Sequence, residues 1–166
     1  MEVHIEGIEQ VNAALQRLGP EVLRAADRGL RSAGMHIIDD AKNNLRSDHI
    51  NATGRLSNSG RVQPAAEGSG YDVGFMSDKA YAGAVEYGRR AGRMPPPDEM
   101  GQWAYQKLRI RDLKKARAAG WALAKHIGKH GTQPHPFFKP AVEKNLTRVS
   151  NAIRDAVQQV TNRTNV

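Results

Sequence analysis

The chain has 166 residues, with 25 Lys and Arg against 17 Asp and Glu, a formal net charge of +8 and no cysteine. That length suits one domain, and the missing cysteines exclude disulfides, thiolate metal sites and cysteine nucleophiles. With 39% apolar and 5% aromatic residues and a mean hydropathy of −0.62, it is polar for a compact monomer, so either its core is shared with neighbouring copies or it is a loose, tail-rich monomer.

In chain order, Val3-His4-Ile5 alternates and stops at Gly7, the pattern of a short strand. Ile8, Val11, Leu15 and Leu18 step at helical spacing up to the Gly19-Pro20 break. Leu23, Ala26, Leu30, Ala33, Ile37, Ala41 and Leu45 then form one stripe of a long helix whose other face holds Arg24, Arg28, Arg31, Asp39 and Lys42. Residues 47–60 are rich in Ser, Asn, Thr and Gly and predict a loop. Arg61-Val62-Gln63 and Tyr71-Asp72-Val73-Gly74-Phe75 face each other as strands across a turn at 67–70. Pro64 cannot donate to a ladder, which makes the first of them an edge strand or an interrupted one.

Ser77 or Asp78 caps a short helix from Lys79 to Tyr87, with Tyr81, Ala84 and Val85 inward. Residues 88–97 predict an Arg- and Pro-rich loop. Asp98 caps the next helix, where Met100, Trp103, Ala104 and Leu108 share a face, and Leu113, Ala116, Gly120, Leu123, Ala124 and Ile127 mark another. After the Pro134-His135-Pro136 turn, Pro140 suits the first turn of a closing helix striped by Val142, Leu146, Val149, Ile153, Val157 and Val160. Residues 161–166 predict a frayed tail. The expected fold class is α+β: about five helices, long ones near both ends, packed on a small antiparallel sheet.

Most motif tests for chemistry fail. The Gly68-Ser69-Gly70-Tyr71-Asp72-Val73-Gly74 run precedes a strand and reads as a hairpin turn, and no Gly-Lys-Ser/Thr loop exists. His126 and His130 have metal-ligand spacing, but Lys125 and Lys129 beside them repel a cation. His36 near Asp39 and Asp40 lacks a placed Ser nucleophile. No enzyme, metal, cofactor or small-molecule substrate is expected. No apolar run exceeds the seven residues 118–124, where a membrane span needs about twenty, and the acidic start gives no signal peptide. Without export, the Asn-x-Ser/Thr matches at Asn51, Asn145 and Asn162 are chance occurrences.

Charge is unevenly spread. Residues 1–88 carry 9 basic and 12 acidic side chains, and residues 89–166 carry 16 and 5, so the halves are −3 and +11. Lys107, Arg109, Arg111, Lys114, Lys115 and Arg117 cluster with only Asp112 opposing. This run is either a nonspecific contact with nucleic acid or an acidic partner, or a solvated connection between helices.

Three segments carry a resemblance: Thr53-Gly54-Arg55-Leu56-Ser57-Asn58-Ser59, Tyr81-Ala82-Gly83-Ala84-Val85-Glu86-Tyr87-Gly88 and Pro136-Phe137-Phe138-Lys139-Pro140-Ala141. Together, in order and spacing, they resemble the neck or tail-completion (head–tail joining) proteins of tailed bacteriophages, related to the lambda minor tail protein Z. The family's Pro before Thr-Gly is absent, replaced by Asp48-His49-Ile50-Asn51-Ala52. The resemblance implies a single neck domain over 1–166, with 89–130 as the helical extension of a longer variant. It implies a structural virion protein, made in the host cytoplasm, forming a homo-oligomeric, sixfold ring. Its partners would be head-closure or connector proteins, the tail terminator or tail tube, and DNA in the channel. Tyr81, Tyr87, Phe137 and Phe138 are then core anchors or subunit contacts, and Glu86 needs a cation from Arg89, Arg90 or a neighbouring subunit. The competing expectation is a stand-alone nonspecific nucleic-acid-binding protein using residues 107–117.

Overall fold

The computed structural model describes residues 2–4, 19–47, 54–66, 70–76 and 79–164. Among these, the elements run β1 (Glu2–His4), α1 (Pro20–Ser47), α2 (Arg55–Asn58), β2 (Gly60–Pro64), β3 (Tyr71–Phe75), α3 (Lys79–Tyr87), α4 (Pro97–Lys107), α5 (Leu113–His130) and α6 (Phe138–Thr164). The fold is α+β, as its sequence patterns imply. The helix expected over 8–18 lies outside the described residues. The loop expected over 47–60 contains the turn α2, which buries Leu56 and Ser57. The closing helix continues to Thr164, through most of the segment expected to fray.

The chain divides into two compact units. The first comprises Met1–Asn44, Ser59–Met76 and Phe137–Val166; the second comprises Leu45–Asn58 and Ser77–Pro136.

In the first unit the sheet order is β1-β3-β2, antiparallel throughout, with Val73 opposite both Val3 and Val62. Strand β2 lies at an edge, where the missing N–H of Pro64 costs the ladder least. Ala65 N–H donates to Gly70 O at 3.0 Å, one bond beyond the β2–β3 pairing. Helix α1 buries Val22, Ala26, Leu30, Ala33, Ile37, Ile38 and Ala41. Its stripe begins one residue earlier than expected: Val22 is inside and Leu23 is exposed.

Helix α6 departs further from its predicted stripe. Phe138, Ala141, Asn145, Val149 and Ala156 are buried, Leu146 is exposed, and Val142 and Ile153 are only half-buried. The side chains of Val157 and Val160 lie outside those described. The cause is close helix contact: a Cβ added at Gly29 of α1 would sit 3.0 Å from the Ala152 Cβ. At that crossing only small side chains fit, whereas Phe138 and Val149 are buried elsewhere along the helix.

A polar lattice ties the same two helices. Asn145 Nδ2 donates to Asp40 Oδ2 (2.7 Å) and to Ala141 O (2.9 Å), and Arg148 Nη1 donates to Asn145 Oδ1 (2.9 Å). Lys144 Nζ donates to Asp40 Oδ1 at 3.0 Å. The Asp40 carboxyl is accordingly held below its ordinary 3.8, chiefly by the Asn145 hydrogen bond and then by that from Lys144, against partial burial. Below this lattice Phe75 packs edge-on against Phe137 and Phe138, with ring centroids 5.1 and 5.8 Å apart.

Candidate interaction surface

The second unit holds nearly all the residues singled out for contact with partners. In α3 the buried face is Ala82 and Glu86, one turn apart, while Tyr81, Ala84 and Val85 lie partly or mostly out. The expected inward face was therefore rotated. Tyr87 is 69% exposed. Tyr81 stands at the edge of the buried region: desolvation raises its phenol pKa, the Arg55 charge opposes this and Glu99 adds to it. Glu86, only 1% exposed, is hydrogen-bonded or paired within the protein. The guanidinium of Arg89 is engaged elsewhere, donating to Arg93 O, and Arg90 is exposed.

Phe137 and Phe138 are buried in the first unit, 0% and 1% exposed. Their burial fits the core-anchor reading of the two that the sequence leaves open.

Residues 89–132 form an arm closed at its root. Arg89 N–H donates to Thr132 O at 3.1 Å and Thr132 N–H to Arg89 O at 2.8 Å, so the two ends of the segment exchange backbone hydrogen bonds. His135 N–H donates to Val85 O and Gly92 N–H to Gly128 O, both at 2.8 Å, extending the clasp on either side. Gly88 and Gly131 flank it with φ of +72° and +74°, a conformation side chains resist.

Within the arm, α4 and α5 pack as a helical hairpin through small residues. Ala116, Gly120 and Ala124, one turn apart on α5, are buried, and so are Gly101 and Ala104 of α4. The leucines expected to share this face do not: Leu113 is 74% exposed, Leu108 is exposed, and Leu123 is half-buried. The backbones come so close at Gly120 that larger side chains can only lie on the flanks. Asp98 does not cap α4; Pro96 occupies that position without a side-chain bond, and Asp98 stands in the first turn. The working cap is Asp112 on α5, whose Oδ1 accepts from Lys114 N–H at 2.8 Å and Lys115 N–H at 3.1 Å. An Asp directly before the periodic run is a legible cap signal.

The outer surface of the arm is cationic. Arg109, Arg111, Lys114, Lys115 and Arg117 are exposed and Lys107 is half-buried. Of these six, Arg117 alone has an ion pair among the described residues, to Asp98 at 3.6 Å with both side chains at least 75% exposed. Pairs so exposed contribute about 0–1 kcal/mol and rearrange easily. Arg117 and Lys114 also border an open cleft of about 420 Å³ between α4 and α5, together with Asp98, Gln102, Tyr105 and Leu113. Trp121, 55% exposed, lies one turn beyond Arg117 on α5. His126 and His130 stack with ring centroids 4.6 Å apart, and no group of three metal-binding side chains occurs among the described residues. No helix there is long and apolar enough to cross a membrane.

Residues 9–88 match the HK97-gp10-like family model, described as "Bacteriophage HK97-gp10, putative tail-component". The matched stretch contains two of the three motifs on which the resemblance rests, supports a tailed-phage tail-completion family, and ends at Gly88, the residue before the arm. It does not bear on a relation to the lambda protein. No curated protein and no solved structure matches the chain.

Proposed function

From the tail-component match over residues 9–88, we propose that the chain is a structural protein of a tailed-phage virion that acts by geometry and catalyses no reaction. Copies assemble into a ring, sixfold by resemblance, in the neck. There they complete the tail end and join it to the DNA-filled head, between head-closure or connector proteins and the tail terminator or tube. Exposed Tyr87, Arg90 and the rim of Tyr81 are the subunit or partner contacts best placed for this role. The family match is the observation that carries the proposal.

The acidic and basic halves of the sequence do not coincide with its structural units. Grouped by structural unit, the first carries 11 basic and 11 acidic residues and the second 14 and 6. The first unit is therefore neutral in sum and the second carries the net positive charge. Deleting the gene in the phage that encodes the chain tests the proposal by electron microscopy of lysates. Filled heads beside unjoined tails are expected; normally joined particles at full infectious titre refute it.

A further inference from the structure

The arm 89–132 contains 11 Lys and Arg against 3 Asp and Glu, a net charge of +8, while the rest of the chain carries 14 of each and sums to zero. The whole net charge of the protein thus resides in one segment that is clasped at its root by the Arg89–Thr132 bridge and begins where the family match ends. We infer that this arm binds duplex nucleic acid through its phosphates, without reading sequence, as an activity separable from tail assembly.

Three observations favour phosphates over an acidic protein. First, the cations extend along the arm: Lys114, Lys115, Lys125 and Lys129 are exposed on α5, and Arg90, Arg93, Arg109 and Arg111 are exposed outside the helices. Lys114 and Lys125 are separated by about 16 Å of helix, a length over which a duplex presents roughly ten phosphate charges. Second, 5 of the 11 cations are lysines; protein interface cores are depleted of lysine, whereas phosphate contact uses it freely. Third, carboxylates are few and two of the three have partners: Asp112 accepts from the first amides of α5 and Asp98 pairs with Arg117, leaving Glu99 exposed. The arm therefore offers an incoming polyanion a surface with little competing negative charge.

The test uses the purified full chain and a fluorescein-labelled 20-base-pair duplex of arbitrary sequence, read by anisotropy from 50 to 200 mM salt. Five phosphate contacts give a slope of log K against log salt near −4.5, so affinity falls about 500-fold across that range. Replacing Lys114→Gln, Lys115→Gln and Lys125→Gln together lessens the slope by roughly 2.7 and leaves the unfolding midpoint in place. The double variant Arg28→Gln, Arg154→Gln, on exposed cations of the first unit, leaves the slope unchanged. Absence of duplex binding at 50 mM salt overturns the inference, and so does binding whose slope ignores the three lysine changes. Capture of an acidic tail or connector protein by a chain that does not bind the duplex overturns it equally. None of these results touches the assembly role, which the gene deletion tests in the virion.

Discussion

The crossing of α4 and α5 makes a prediction with opposite signs for the same chemical change. A Cβ added at Gly120 would sit 2.5 Å from the Gly101 Cα and 2.7 Å from the Pro97 carbonyl oxygen, both backbone atoms that cannot rotate aside. A Cβ added at Gly101 would come no nearer than 3.4 Å to any atom, the Arg117 Cα, with the Ala116 oxygen next at 3.6 Å, ordinary contact. Replacing Gly by Ala inside a helix is worth about 0.5–1 kcal/mol in backbone entropy. Gly101→Ala collects this gain, and the arm becomes more stable. Gly120→Ala collects it too, but forcing the helices apart costs about 1–3 kcal/mol or more, so the net effect is a loss of about 1–2 kcal/mol. For a chain of this size each kcal/mol moves the midpoint by about 2–4 °C. The chain has two tryptophans, Trp103 and Trp121, and both lie in the arm, so intrinsic fluorescence reports on the arm while circular dichroism reports on the whole. Thermal scans should show the fluorescence midpoint falling for Gly120→Ala and rising slightly for Gly101→Ala. Shifts of the same sign, or a Gly120→Ala chain as stable as the parent, would refute the close-approach argument.

Other perturbations separate structure from charge. Asp112→Ala removes the cap of α5 and costs about 0.5–2 kcal/mol, yet takes a carboxylate from the cationic face. The fluorescence midpoint should drop while duplex affinity holds or rises, and a fall in both would speak against the phosphate role. Arg109 has a φ of +54°, a conformation costing a non-glycine residue about 1 kcal/mol or more. Arg109→Gly should leave the arm as stable or slightly more so in urea titration while lessening the salt slope of binding by about 0.9. In the first unit, Asp40 titrates below its ordinary 3.8 in the folded chain, so its stabilising effect is present above that pH and fades as acidity drives it through the folded value. Urea midpoints measured from pH 7 down to 2.5 should show this loss in the parent and a flatter acid limb in Asp40→Asn. Asn145→Ala should cost about 1–3 kcal/mol by breaking the bonds around a buried amide; a neutral result would mean that the lattice contributes nothing.

Sequence periodicity locates every helix in the described residues except α2; it rotates the face of α3, and on α1, α5 and α6 it errs in one direction. It favoured large apolar side chains: Leu23, Leu113 and Leu146 were assigned inward and all are exposed. The buried positions that periodicity passed over include Gly101, Ala141, Asn145 and Ala156, while Ala116 and Gly120 are buried as their stripe implies. Where helices meet backbone to backbone, residue size is the signal and hydrophobicity misleads. The same substitution explains how a chain of low mean hydropathy builds two compact units without many aromatic residues. Of the candidate contacts, the exposure of the basic run was legible from its density alone. The burial of Phe137 and Phe138 was not, because a Pro-Phe-Phe motif looks alike whether it anchors a core or meets a neighbour.

Charge segregation and small-residue packing are connected. Eleven cations within 44 residues repel one another, and an arm held together by long side chains would lose part of its core whenever those side chains reached outward for a ligand. A hairpin locked by Gly101 and Gly120 uses few long side chains in its interior, so Lys and Arg on its outer face can move without disturbing it. The clasp at Arg89 and Thr132 completes this separation, because the path of the chain on either side is fixed by backbone bonds that involve no cationic head group. The neutral remainder of the chain carries the matched tail-component segment, and its helix contacts are sealed by Asp40, Asn145 and the Phe75 cluster. Alterations of arm charge are therefore expected to act on polyanion binding and leave the first unit's packing as it is, since no residue of that packing belongs to the arm.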